Sequence, residues 1–159
     1  MKVFPLLIFC ISLAVLSCSR PSAPQESEGL SLSNMVEAQN YVFKANSAIP
    51  ARGRTIQLST DYYLIVRKDS IIGDLPFFGR AYTAPMGQSG GIEFTSTKFD
   101  YNKTEKKNGA YEIEIIPRDH NDVQRMFLTI SKSGYGNLHV SSQNRQAISF
   151  NGVIVSRVR

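Results

Sequence analysis

The second half of the chain alternates between apolar and polar side chains with a period of two. Tyr111, Ile113 and Ile115 share one side of the first such segment, while Glu112 and Glu114 occupy the other. The same alternation recurs in three later segments, at residues 126–131, 138–141 and 148–154. Because successive side chains of a β-strand point to opposite faces, this pattern predicts antiparallel strands that bury one face and expose the other.

Further strands are predicted after Pro50, where β-branched and aromatic residues cluster. The segments concerned are residues 55–58, 62–68, 70–72, 78–84 and 91–99. Polar turns separate the later strands, at residues 107–109, 133–137 and 143–145. Glycine in the first two turns supplies the positive φ that tight hairpins often need. The pattern therefore predicts eight or nine short strands joined by tight links.

One helix is predicted ahead of the strands, over residues 33–46. Ser33 can cap this helix, and Glu37 lies near the positive end of its dipole. The residues that share its apolar face are Met35, Ala38, Tyr41, Val42 and Ala45. The segment from Tyr41 to Phe43 could instead begin a strand, which would end the helix earlier.

These elements predict a mainly β protein with a single domain and one N-terminal helix. A chain of 159 residues is long enough for one hydrophobic core. Antiparallel strands with tight links form either a meander closed into a barrel or a sandwich. We expect a single antiparallel barrel-like sheet of about eight strands, with the helix covering an end or an open side.

The N-terminus has the features of a secretory signal peptide, predicted over residues 1–17. Lys2 precedes an apolar run from Val3 to Leu16, which is shorter than the roughly 20 apolar residues of a transmembrane helix. The run ends in the sequence VLSC, which resembles a bacterial lipobox, a signal in which the cysteine is lipidated and the chain is cut before it. An ordinary cleaved signal followed by a chance cysteine at Cys18 is the alternative.

Cys18 would be the only cysteine of the mature chain, because Cys10 lies inside the apolar run. This excludes an internal disulfide and a cysteine metal site. Residues 18–32 are predicted to form the lipidated cysteine and a flexible tether to the membrane, and residues 33–159 the globular domain. The residue after the cysteine is Ser19, not aspartate. By resemblance to other bacterial lipoproteins, this permits transport to the outer membrane, so we expect the protein on the periplasmic side of that membrane, with the cell surface as an alternative.

The net charge of +5 does not indicate a nucleic-acid partner. The basic residues are scattered along the chain, and the densest cluster, Lys103 to Lys107, contains the acidic Glu105. A nucleic-acid-binding surface needs a concentrated basic patch, and an export signal would direct the chain away from nucleic acid.

The sequence contains none of the familiar catalytic motifs. His139 is predicted to point outward from a strand, and His120 lies in the loop sequence RDHND. The side chains of that loop could supply oxygens and one nitrogen to a metal, but a polar hairpin loop has the same composition. We therefore expect no enzymatic activity, no cofactor and no metal.

The stretch DLPFFGRAYTA, from Asp74 to Ala84, is the candidate contact segment. If residues 78–84 form a strand, Phe78, Arg80 and Tyr82 share one face. They are the candidate contacts for a ligand or a partner. The alternative is a purely structural corner at the start of a strand.

Three segments carry a resemblance to a known family. They are LPFFGRA at residues 75–81, GIEF at 91–94 and NRQAISFNG at 144–152. In this order they resemble the Bacteroidota domain-of-unknown-function 4251 family of secreted proteins and lipoproteins, over about residues 41–154. The resemblance implies a periplasmic or outer-membrane lipoprotein from such bacteria, and it implies no particular activity.

These observations favour a cell-envelope lipoprotein that is a non-enzymatic binding module for a small apolar or sugar-like ligand. The alternative is a protein-interaction or envelope-assembly component without a small ligand. A cavity lined by Phe and Tyr would favour the first hypothesis. A filled core with an exposed apolar patch would favour the second.

Overall fold

The alternating segments form nine strands in the computed structural model, which describes residues 31–82 and 90–156. The predicted signal peptide and Cys18 lie outside the described residues. The helix is α1 (Leu32–Glu37), and the strands are β1 (Tyr41–Pro50), β2 (Ile56–Val66), β3 (Ile71–Leu75), β4 (Ile92–Ser96), β5 (Phe99–Glu105), β6 (Tyr111–Pro117), β7 (Val123–Ile130), β8 (Tyr135–Ser142) and β9 (Ile148–Val155). Within the described ranges, no helix is long and apolar enough to cross a membrane.

All nine strands belong to one sheet, in the order β4-β3-β2-β1-β9-β8-β7-β6-β5. Every neighbouring pair is antiparallel. The sheet curls into a nearly closed barrel, so the predicted barrel-like architecture is confirmed. The chain enters the sheet through β1 and runs outward through β2 and β3 to β4 at one edge. It then returns from β5 at the other edge through β6, β7 and β8 to β9, which pairs with β1.

The two strands at the edges of the sheet, β4 and β5, behave as one bent strand. Because the eight pairings between them are all antiparallel, β4 and β5 run in the same direction. Only Thr97 and Lys98 separate them. The first half of this strand pairs with β3 and the second half with β6, so a single strand joins the two edges and closes the barrel.

Asp119, from the loop after β6, holds the bend in place. Its Oδ1 accepts a hydrogen bond from Ser96 Oγ at 2.5 Å, and its Oδ2 accepts from the backbone N–H groups of Thr97 at 2.9 Å and Lys98 at 3.1 Å. The hydrogen bond from Ser96, followed by the backbone N–H of Thr97, lowers the pKa of Asp119 to about 2. The backbone of Arg118 also donates to Lys98 O at 2.7 Å. The carboxylate therefore satisfies the backbone groups that the bend removes from strand pairing.

The inward-facing side chains fill the barrel and pack against the helix. Phe43, Leu128 and Phe150 are among the fully buried core residues, and Met35 and Val36 of α1 belong to the same cluster. The helix therefore covers one end of the barrel, as expected.

The helix is shorter than the predicted 33–46. Ser31 rather than Ser33 caps it, accepting from the backbone N–H of Asn34 at 3.3 Å. The prediction failed because Tyr41 and Phe43 follow the period of a strand. Both are fully buried in β1, so tertiary packing overrides the weaker helical pattern.

Because neighbouring strands are antiparallel, different connecting segments lie at the two ends of the barrel. We call one the helix end, where α1 and the turns after β2, β5 and β7 lie. We call the other the mouth end, where the loops after β1, β3, β6 and β8 gather.

Replacing Asp119 with Asn should lower the free energy of unfolding at pH 7 and flatten its decline in acid. Because folding lowers the pKa of Asp119 from 3.8 to about 2, the ionised carboxylate stabilises the fold fully above pH 3.8. That contribution is lost as the pH falls towards 2. Urea unfolding between pH 7 and 2 measures it. Asp69→Asn, at an exposed turn residue that accepts from Ser70 Oγ, is the control. If the free energies of unfolding of Asp119→Asn and the natural protein declined equally with falling pH, this role of Asp119 would be contradicted.

Candidate functional site

The candidate contact segment leaves the sheet and crosses the mouth of the barrel. We call residues 76–82 the strap. Beyond β3 it reaches the loop between β8 and β9, where Tyr82 N donates to Asn144 O at 2.7 Å and Gln146 N donates to Arg80 O at 3.1 Å. Only Ala81 forms a bridge, with Arg145. The strand predicted over 78–84 is therefore wrong for its described residues, because β3 already pairs with β2 and β4 and leaves the strap only a loop to pair with.

A buried arginine fastens the strap to the mouth end. The guanidinium of Arg145 contacts Asp122 Oδ2 through Nε at 3.1 Å and donates through Nη1 to Gly91 O at 2.8 Å. It also lies over the ring of Phe77, 5.1 Å from its centroid. The side chains of Arg145 and Asp122 are only 5% and 10% exposed. One side chain therefore ties together the strap and the loops after β6 and β8.

Sequence reasoning missed this role, because residues 143–145 were predicted as a polar turn. The available signal was the place of Arg145 inside the segment NRQAISFNG, one of the three that carry the family resemblance. The second carboxylate oxygen of Asp122, Oδ1, is buried and has no hydrogen-bond partner among the described residues. Arg145 is therefore the partner that the Asp122 carboxylate has within the described residues.

The interior of the barrel is packed with side chains. The ring of Phe43 lies directly beneath Gly136 and Gly152, which face each other on β8 and β9. A Cβ built on Gly152 would lie 2.9 Å from the Phe43 ring and 2.0 Å from Lys44 O. These glycines thus make room for the core, and the depressions described below open on the outside of the barrel.

One depression of about 530 Å³ lies on the outer face of β7, β8 and β9, near the helix end. Its floor is the backbone of the Gly136–Gly152 pair, and Tyr135 stands at its side with 66% of its surface exposed. The remaining lining residues are Asn108, Ala110, Thr129, Ser131, Asn137 and Asn151. All of the lining residues are uncharged, in a chain with 18 basic and 13 acidic residues. We call this depression the Tyr135 face.

The register of the strands arranges the Tyr135 face in rows. Thr129, Asn137 and Asn151 lie opposite one another across three strands. Asn137 Nδ2 donates to Asn151 Oδ1 at 2.8 Å, so the two amides hold each other in place. An exposed aromatic ring lies on each side of this row, Tyr135 on one and Phe127 on the other. Four residues of strand separate the two aromatic positions, or about 13 Å along the strands.

The three residues predicted as ligand contacts lie together on the strap. Phe78 is half-buried and lines a depression of about 300 Å³ with Tyr62 and Asp74. Arg80 is exposed, and Tyr82 is the more exposed of the two, at 70%. They do not share the face of a strand, and their contact with a ligand stays a prediction.

The two histidines have structural partners. His139 is exposed on β8, and its Nδ1 lies 2.9 Å from Ser149 Oγ on the neighbouring strand. The ring of His120 is tilted against Phe94, with centroids 5.4 Å apart. Across residues 31–82 and 90–156, His, Cys, Asp and Glu form no group of three or more that could hold a metal.

Two tyrosines with raised pKa values meet between the core and the helix end. The hydroxyls of Tyr41 and Tyr101 lie 3.2 Å apart. Burial raises the pKa of Tyr101 to about 12 and the pKa of Tyr41 well above its usual value. Both hydroxyls therefore stay protonated at neutral pH and form a partly buried hydrogen bond.

Comparison with known proteins identifies the family. The family model described as "Domain of unknown function (DUF4251)" matches residues 24–154, and the chain belongs to this family, which confirms the resemblance seen in the sequence. A crystal structure of a DUF4251 family protein from Bacteroides eggerthii DSM 20697 is similar in fold. Its TM-score is 0.63 and its identity 18%, over 79% of this chain and 85% of that chain. No curated protein matches the chain.

Replacing Arg145 with Met should cost about 3–5 kcal/mol of the free energy of unfolding, because it leaves the Asp122 carboxylate buried without a cation. The double variant Arg145→Met/Asp122→Leu should recover most of that loss, since an apolar pair of similar volume carries no buried charge. Urea unfolding of both variants measures the two effects. A single variant that costs less than about 1 kcal/mol, or a double variant as unstable as the single one, would show that the pair does not hold the mouth end together.

Proposed function

We propose that this member of the DUF4251 family is a lipid-anchored, non-enzymatic binding module of the cell envelope, and that it binds a sugar-like ligand on the Tyr135 face. The observation that carries this proposal is the composition of the face. An exposed aromatic ring stands beside a row of amide and hydroxyl groups, and no lining residue is charged.

This composition suits the hydrogen bonding of a neutral saccharide. Each sugar hydroxyl both donates and accepts, and an asparagine amide offers both functions in fixed directions. The mutual hydrogen bond uses Asn137 Nδ2 and Asn151 Oδ1, which leaves Asn137 Oδ1 as an acceptor and the Asn151 amide as a donor. Thr129 adds a hydroxyl, whereas the Ser131 hydroxyl is hydrogen-bonded to the backbone of Tyr135. The Tyr135 ring offers an apolar surface with a polar tip.

The filled core argues against the other small ligand considered, an apolar molecule held inside the barrel. Such a ligand needs an enclosed apolar cavity, and the interior positions are occupied by packed side chains such as Phe43 and Phe150. A filled core also agrees with the alternative of a protein partner. However, the Tyr135 face sets one exposed aromatic ring, Tyr135, beside amide and hydroxyl groups, and these groups favour a hydroxyl-rich ligand.

The lipid anchor rests on the N-terminal sequence. The apolar run followed by VLSC supports lipidation at Cys18, and several acyl chains hold a protein firmly because each buried methylene contributes about 0.8 kcal/mol. We propose that such an anchor holds the module on the periplasmic side of the outer membrane, with envelope glycans as the accessible saccharides.

Tyr135→Ala should weaken oligosaccharide binding at least tenfold, a loss of about 1.4 kcal/mol, because it removes the stacking ring without disturbing the core. The measurement is isothermal titration of the full protein, in a non-ionic detergent, with chitohexaose, cellohexaose and maltohexaose. Tyr82→Ala is the matched control, since it removes an equally exposed tyrosine at the opposite end of the barrel.

Loss of binding in Tyr82→Ala alone would move the ligand site to the strap, where Phe78, Arg80 and Tyr82 were predicted to act. If none of the three oligosaccharides binds and a protein from the envelope co-purifies in native mass spectrometry, the assembly alternative replaces the sugar-binding proposal.

Cys18→Ala should release the protein from membranes, because the acylated residue is removed. Fractionation of cells that express the natural and variant chains measures the change, with Ser17→Ala, which keeps a small residue before the cysteine, as the control. Equal recovery of Cys18→Ala and the natural protein in the membrane fraction would refute the anchor.

A further inference from the structure

The loop after β6 has the sequence RDHND, and both of its carboxylates already have partners elsewhere in the fold. Asp119 accepts from Ser96, Thr97 and Lys98 at the strand bend. Asp122 is buried against Arg145. The two acids that would make this loop a cation site are therefore committed to holding the fold.

The other side chains of the loop line a groove of about 570 Å³ on the outside of the mouth end. Its polar lining consists of Arg118, His120, Asn121, Gln124, Arg125, Ser141 and Gln143. No Asp or Glu is among the described residues that line it. The groove thus combines two guanidinium groups, an imidazole, three amides and a hydroxyl, and most of these groups donate hydrogen bonds. We call it the donor groove.

The imidazole of His120 has one defined tautomer. Its Nδ1 accepts from the backbone N–H groups of Asp122 at 3.3 Å and Val123 at 3.2 Å. A nitrogen that accepts in this way carries no proton, so the neutral ring carries its proton on Nε2. The contact with Phe94 fixes the plane of the ring. His120 therefore offers a hydrogen-bond donor and has no Nδ1 lone pair left for a metal.

The two arginines are held in position by acids outside the groove. Arg118 contacts Asp100 through Nε and Nη2, and Arg125 Nε lies 3.2 Å from Glu114 Oε1. Each guanidinium has five N–H donors, so each pair leaves further donors available. Because these pairs orient the side chains before a ligand arrives, less conformational entropy is lost on binding.

We infer that the donor groove binds the anionic group, a carboxylate or a phosphate, of a small ligand. An arginine fork matches the geometry of either group, and hydrogen bonds to an ionised acceptor are about twice as strong as neutral ones. Amide donors around the two arginines suit the further oxygens of such a ligand. This site is separate from the Tyr135 face, which lies near the helix end, and it does not depend on the proposed function.

Glucuronate and glucose 6-phosphate should bind the protein at millimolar concentrations, and glucose should not bind at this site. Saturation-transfer NMR on the full protein in non-ionic detergent measures the dissociation constants. Gln124→Glu should weaken the binding of both anions at least tenfold, because it places a like charge in the groove without breaking an ion pair. Gln57→Glu makes the same change at an exposed position of β2, on the opposite side of the barrel, and should leave the dissociation constants unchanged.

The double variant Arg118→Gln/Arg125→Gln gives an independent test and should abolish binding, with thermal unfolding as the check that it folds. Binding of only one anion would support the site and identify the group it recognises. The inference is overturned if neither anion binds, if glucose competes with them, or if Gln124→Glu and Gln57→Glu behave alike.

Discussion

The bend at Ser96 to Lys98 is the constraint on which the rest of the barrel depends. An antiparallel sheet of nine strands has two edges that run in the same direction, and here one bent strand serves both edges and closes the barrel. The bend allows this, because β4 and β5 follow each other with two residues between them. The carboxylate that caps the bend, on Asp119, comes from the loop that follows the partner of β5. Closure of the barrel and placement of that loop are therefore coupled, and closure removes the free edges that an open sheet would expose to other chains.

The loop after β6 also organises the mouth end, because its second acid, Asp122, contacts a different part of the structure from Asp119. Asp119 faces the bend, whereas Asp122, three residues later, is buried against Arg145. Arg145 in turn holds the strap through Phe77 and the start of β4 through Gly91 O. With α1 packed across the other end and aromatic side chains filling the interior, both ends of the barrel are occupied. Binding surfaces then have to lie on the outside, on loop surfaces and on the outward faces of strands.

The sequence predicted the elements better than their connections. Alternation alone identified β6 to β9, because each buries every second side chain against one core. It did not identify the bend, since local composition does not show which neighbour a segment pairs with. The inward positions shift there from Phe94 and Ser96 to Phe99 and Tyr101, and the pairing on each side divides residues 91–99 into two strands. The strap was predicted as a strand for the same reason. Its residues have strand-like composition, but whether a segment pairs depends on which edges remain free, and that is a property of the whole sheet. The helix was predicted too long because Tyr41 fits both the apolar spacing of a helix and the alternation of a strand.

The Tyr135 face shows why the site was harder to predict than the fold. In the sequence, Tyr135 and Asn137 fall in a turn, and Asn151 lies fourteen residues further along a strand that was recognised only by its buried side. The register of β8 and β9 brings them together, and no local pattern encodes that register. The inward residues of these strands are constrained by packing, as the fit of Phe43 beneath Gly136 and Gly152 illustrates. The outward residues have no such constraint. The outward face carries an uncharged row of amides and hydroxyls between two exposed rings, and packing against the core does not account for that composition.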